Sequence, residues 1–166
     1  MRLQSYTLDR TRNLLHLYFA EAYHIVYLNK YTGNIYKREK NHAILRHVVD
    51  HKGLYIGALN DGTHIFIHSH IDARCAELVT REEFAQGIKV ELDTTKNCTN
   101  HPYDMIESAL QQVLSGEPYN LKSNSCQTLV NQACTNQRKN DDTARVVVGV
   151  IGVAVLVAVI DSFFND

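Results

Sequence analysis

The tripeptide Asn60-Asp61-Gly62 stands between two short segments rich in β-formers, His51–Gly57 (HKGLYIG) and His64–His70 (HIFIHSH). Asn, Asp and Gly tolerate the positive φ that a tight reversal between twisted strands demands, so the stretch predicts a β-hairpin. Side chains alternate along a strand, which puts His64, Phe66, His68 and His70 on one face and Ile65 and Ile67 on the other. A chain of 166 residues, 45% of them hydrophobic, has room to bury such a hairpin in one sizeable core.

Other segments supply the rest of an α+β domain, an antiparallel sheet packed against helices. Tyr31-Thr32-Gly33-Asn34 is a turn signal that predicts a hairpin between flanking aromatic strands, although Leu14, Leu15, Tyr18, Phe19 and Ala22 also fit a helix face. Thr80–Gly87 (TREEFAQG) predicts a short helix, with Thr80 and Glu83 at capping-box spacing and Gly87 placed to stop it. His101-Pro102 opens a longer helix whose apolar residues are Met105, Ile106, Ala109, Leu110, Val113 and Leu114, ended by Gly116. After Glu117-Pro118 the chain reads as an extended stretch leading into a further helix, with Ser123, Asn124 or Ser125 as N-cap and Leu129, Val130 and Ala133 on the buried face.

Three regions follow: a catalytic domain over 1–137, a polar connector over 138–145, and an apolar tail over 146–164. The tail contains fifteen consecutive residues, Val146 to Ile160, with no charge or side-chain hydrogen bonder. As a helix it is about 22 Å long against roughly 30 Å of hydrocarbon, so it reads either as a membrane anchor extended by Phe163 and Phe164 or as a buried core segment. Arg138, Lys139 and Arg145 precede it, which would keep the domain on the cytoplasmic side. Met1–Arg12 holds no apolar run, so the expected location is the cytoplasm.

Charge narrows the partners. With 17 basic and 18 acidic side chains the net charge is −1, which argues against a strongly basic nucleic-acid binder. Four scattered cysteines are too few for a disulfide-stapled mini-protein, so thiols are the expected state, with Cys75, Cys98 and Cys134 structural. The unusual excess is nine histidines, a side chain that titrates near neutrality and serves as base or metal ligand.

Chemistry concentrates at Cys126. A cysteine in the first turn of a helix meets unpaired backbone N–H groups and the positive end of the helix dipole, both of which favour thiolate. The same N–H groups offer donors to the oxyanion of an acyl-transfer intermediate. His51, opening its strand, is the candidate base, and His68 the imidazole that orients it, a role it fits better than His70. His70, Tyr55 and Asn124 are candidate supporting residues. His68 and His70 point the same way roughly 6.6 Å apart, a spacing open to a metal, but no CxxC or HExxH supplies further ligands, so neither metal nor cofactor is expected. His16, His24, His42, His47 and His101 read as residues without a role.

Taken in order, HKGLYIG, NDG, IFIHSH, TREEFAQG and EPYNLKSNSCQTLVNQ resemble the successive blocks of the lecithin:retinol acyltransferase-like family, relatives of the NlpC-type cell-wall peptidases with a circularly permuted papain-like order. The resemblance covers about Asp50 to Gln132. It implies a permuted papain-like fold with Cys126 as nucleophile, His51 as base and His68 as the third polar residue. The Asn that the family carries directly before the Cys stands one place earlier, at Asn124, with Ser125 between. The implied activity is that of an acyltransferase or phospholipase acting on membrane-lipid acyl groups through a thioester. A cysteine peptidase or amidase, acting on cell-wall peptides or isopeptide-linked modifiers, shares the same triad. A non-catalytic, membrane-associated binding domain, with or without metal at His68 and His70, is the third reading.

Overall fold

The computed structural model describes residues 27–39, 50–120 and 123–138. The expected helix or strand before Tyr27 and the apolar tail lie outside the described residues. Among those described, no helix is long and apolar enough to cross a membrane.

Five strands, β1 (Ile35–Glu39), β2 (Asp50–Ala58), β3 (His64–His70), β4 (Cys75–Thr80) and β5 (Glu91–Leu92), form one antiparallel sheet in the order β4-β3-β2-β1-β5. The α+β class is as expected. The β2–β3 hairpin turns where the sequence places it: Gly62 takes φ 88°, its N–H donates to the carbonyl of Leu59, and Asp61 accepts from the Thr63 N–H.

The turn at Tyr31–Asn34 forms but does not reverse the chain. Tyr27 bridges Ala58 and Ile35 pairs with Leu54, so both arms lie along β2 in the same direction. The segment is an excursion in one run alongside β2, fixed where the Gly33 N–H donates to the Tyr55 carbonyl. Glycine is required there twice over, because its φ is +85° and a Cβ would come within 2.6 Å of the Pro102 Cβ.

Three helices complete the described structure: α1 (Arg81–Ala85), α2 (Pro102–Ser115) and α3 (Cys126–Thr135). The capping box of α1 is present in both halves, Thr80 Oγ1 accepting from the Glu83 N–H and Glu83 Oε2 from the Thr80 N–H. Gln86, at φ 48°, makes the left-handed cap before Gly87 is reached. His101, expected to be idle, is the N-cap of α2, its ring Nδ1 accepting from the Tyr103 N–H. Leu114, expected on the buried face of α2, is about half exposed, at 49%.

One face of the sheet, through Ile35, Leu54, Ile56, Ile65 and Ile67, packs against Met105, Ile106, Ala109 and Leu110 of α2 and Leu129, Val130 and Ala133 of α3. The opposite face carries Tyr55 and Phe66 beneath Phe84 of α1. Strand β2 is covered on both sides, and from His51 through Gly57 every residue is buried. Lys52 is among them, its Nζ 2.5 Å from Asp93 Oδ2. Burial alone would push the Asp93 carboxyl up, but hydrogen bonds from Lys52 and Thr95 outweigh it and bring the pKa down to about 2.

Two expectations about the chain's end need correction. Cys98 and Cys134 are joined in a disulfide with their Cα atoms 4.4 Å apart, so only Cys75 and Cys126 are thiols. The scattered spacing hid the pair because the loop before α2 folds back onto the end of α3, where the Thr99 and Asn100 N–H groups donate to the Cys134 carbonyl. Arg138, expected in a solvated connector, belongs to the domain: its Nε donates to the Ser123 carbonyl and its guanidinium pairs with Glu117.

Two substitutions test this architecture. A Cβ on Gly53 would sit 2.7 Å from the Phe84 ring, so Gly53→Ala should lower the unfolding free energy by about 1–3 kcal/mol, read from the urea midpoint. Replacing Cys98 and Cys134 together by Ser opens a loop of 36-residue separation and should cost roughly 2–4 kcal/mol in the same assay. An unchanged midpoint in either variant would contradict the packing described.

Candidate active site

Gly53 is the position around which the site is arranged. It pairs with His68 across β2 and β3, and its missing side chain admits Phe84 onto the sheet. The Phe84 ring lies 5.5 Å from the His51 ring and 5.7 Å from the His68 ring, and it stacks on Phe66 at 5.1 Å. The two imidazoles are thereby held under an apolar roof, each 3% exposed.

His51 Nε2 and His68 Nδ1 are 2.7 Å apart, a hydrogen bond between the rings. On its other side, His68 Nε2 lies 3.0 Å from Oε1 of Glu77, its cross-strand partner on β4. Both nitrogens of His68 are engaged. Burial, reinforced by the neighbouring His70 and Arg38, lowers the His68 pKa to about 3, so its ring is neutral at physiological pH. His70 stacks nearly parallel on His68 at 5.7 Å and meets His51 edge-on at 5.2 Å.

Cys126 is the first residue of α3 and is buried. Ser125 is the N-cap, its Oγ accepting from the Thr128 N–H. The N-cap is thus one of the three candidates, and ahead of it Asn120 and Asn124 exchange backbone hydrogen bonds. Asn124 Nδ2 donates to the carbonyls of Glu117 and Pro118, so its role is to shape the loop that delivers Cys126.

Two contacts bring the start of α3 to the histidine end of the sheet. Gln127 Nε2 donates to the carbonyl of Asp50, the residue before His51. Ser69, between His68 and His70, directs its hydroxyl at the Asn124 carbonyl, 3.4 Å away. At the start of α3 the residues Asn124, Ser125, Gln127 and Thr128 are buried polar groups, and so is Ser69 on β3.

Three residues that the sequence reading missed belong to this neighbourhood. Glu77 is one. Arg38 is the register partner of His51, and its guanidinium donates to the Phe84 carbonyl, the Glu39 carbonyl and Gln86 Oε1. Burial lowers its pKa, and an electrostatic interaction with Cys126 opposes that. Tyr119 is the third: burial, then an electrostatic interaction with Cys126, pushes its phenol up to about 12.

Tyr55 does not join the group. Its hydroxyl accepts from Asn29 Nδ2 and lies 3.0 Å from His64 Nδ1, at the far end of the strand. Among the described residues no group of three or more His, Cys, Asp or Glu is arranged to hold a metal ion. Both ring nitrogens of His68 are engaged, with His51 and with Glu77. No protein-family model matches this chain, and neither does any curated protein.

The neutral His68 carries a pH signature. An unfolded chain protonates this ring near pH 6.5, whereas the folded one resists until about pH 3. Stability that depends on the neutral ring is therefore complete above pH 6.5 and is lost as pH falls toward 3. A His68→Gln variant should show a flatter dependence of unfolding free energy on pH across that window. Parallel curves for the two proteins would contradict it.

Proposed function

We propose that this chain is a cysteine-dependent acyltransferase or phospholipase of permuted papain-like fold, working through a thioester on Cys126 with His51 as base. The observation that carries the reading is the 2.7 Å contact between His51 and His68 at the end of the sheet where α3 begins with Cys126. An imidazole whose tautomer is held by a second polar group is the arrangement a thiol nucleophile needs for activation.

In the proposed reaction His51 takes the thiol proton and the Cys126 thiolate attacks an ester carbonyl. The oxyanion is met by N–H groups in the first turn of α3, and His51 then protonates the departing alcohol. Water or an acceptor hydroxyl or amine, deprotonated by His51, resolves the thioester. Neither metal nor cofactor enters this scheme. The apolar tail supports a membrane lipid as donor, with the domain held at the bilayer on its cytoplasmic side.

One observation favours the peptidase or amidase reading. The cleft next to Asp50 and Arg38, about 390 Å³, is lined by Lys37, Arg38, Glu39, Asp50, Ile88, Lys89 and Glu91. Charges of both signs and a single aliphatic side chain suit a polar peptide better than an acyl chain, in a cleft that borders the strand of His51 and is not lined by Cys126, His51 or His68.

Intact mass after incubation with a lipid extract tests the main reading. The wild type should gain an acyl mass, Cys126→Ala should gain none, and His51→Ala should acylate at least about 10²-fold more slowly. An adduct that persists in Cys126→Ala would place the nucleophile elsewhere. Labelling by a peptide thioester but by no lipid would favour the amidase reading.

A further inference from the structure

The contact between His68 and Glu77 has no counterpart in the triad that the sequence implies. Glu77 pairs directly with His68 across β3 and β4, so the two side chains rise from the same face. Its Oε1 lies 3.0 Å from His68 Nε2, and its side chain remains 37% exposed at the rim of the histidine cluster. His68 is thus held between a carboxyl oxygen on one side and His51 on the other.

We propose that Glu77 is a positioning residue that fixes the tautomers of both histidines and thereby selects the basic nitrogen of His51. The inference rests on the thiol-nucleophile reading above and extends it. A carboxylate only accepts hydrogen bonds, so it requires the proton of the neutral His68 ring on Nε2. His68 Nδ1 then presents a lone pair. Across 2.7 Å it can only accept, which requires the proton of His51 on Nε2 and leaves Nδ1 of His51 as the base.

When the thiol transfers its proton to that Nδ1, His51 becomes an imidazolium. Its Nε2–H still donates to His68, and the Glu77 charge stabilises the cation through the intervening ring. No proton needs to reach Glu77. The sequence Glu77, His68, His51 is therefore an orienting chain with one more link than the expected triad.

The setting of Glu77 gives this chain a pH dependence. Burial raises its pKa, His70 on β3 opposes that, and Glu83 on α1 adds to it. Around His68 the other charged or titratable groups are His51 on β2, Arg38 on β1 and His70 on its own strand. Protonating Glu77 removes the pure acceptor and frees the tautomers, so base strength at His51 should fall on the acid side together with the Glu77 charge.

Long-range ¹H–¹⁵N NMR of the full chain with labelled histidine reads the tautomers without any mutation. The wild type at neutral pH should show Nε2–H on both His68 and His51. Glu77→Leu, which has no acceptor, should lose that pattern, and Glu77→Gln should keep the fold while shifting the pH profile of iodoacetamide alkylation at Cys126. Alkylation at neutral pH should slow about tenfold in both variants, a fraction of the roughly 10²–10⁴ that a positioned base contributes. A wild-type His68 carrying its proton on Nδ1, or tautomers and pH profile unchanged in Glu77→Leu, would overturn the proposal. Failure of the nucleophile reading is a separate result: the tautomers would be as stated while Cys126→Ala left acyl labelling intact.

Discussion

A missing side chain organises this molecule. Gly53 lies in the middle of a strand that is covered on both faces, and there the Phe84 ring descends onto the backbone. Everything else on that face takes its position from the ring. His51 and His68 flank it, Phe66 stacks on it, and the Arg38 guanidinium lies 5.8 Å from its centre. Helix α1 has only five residues, too few to be stable by propensity alone, so its capping box and this one buried aromatic must hold it together. The opposite face is ordinary aliphatic packing against α2 and α3, which fixes where α3 begins.

The site therefore combines two layers. From the Phe84 side come two imidazoles in a water-poor environment, where a hydrogen bond between rings is stronger than in solvent. From the α3 side comes a sulfur at a helix N-terminus, among buried hydroxyl and amide groups. Arg38 acts across the layers: its carbonyl contacts tie β1 to α1, and its charge reaches the sulfur.

Local signals in the sequence were read correctly where the physics is local. Capping needs only residues three apart, so Thr80 with Glu83 and the run from His101-Pro102 to Gly116 were legible, as was a cap just before Cys126. Strand alternation placed Phe66, His68 and His70 together, away from Ile65 and Ile67. What escaped depends on register between strands. Glu77 meets His68 because β3 and β4 pair about the turn after His70, and the segment from Cys75 to Thr80 was not read as a strand. Arg38 meets His51 through a pairing across residues 40–49, and the turn at Gly33 carries the local signal of a reversal while its arms find β2 and not each other. Cys98 and Cys134 join across 36 residues with no motif to mark them.

That crosslink gives α3 two sulfurs with opposite requirements. Cys134 in its last turn must stay oxidised for the bolt to the Cys98 loop to persist, while Cys126 in its first turn must stay reduced for any nucleophilic role. A single ambient redox potential can serve both, because Cys134 closes on Cys98 within the chain, whereas Cys126 is a free thiol whose oxidation to a disulfide would need a further thiol brought to it. One ten-residue helix thereby keeps its two ends in different oxidation states through the difference between a partner already in place and one that must be recruited.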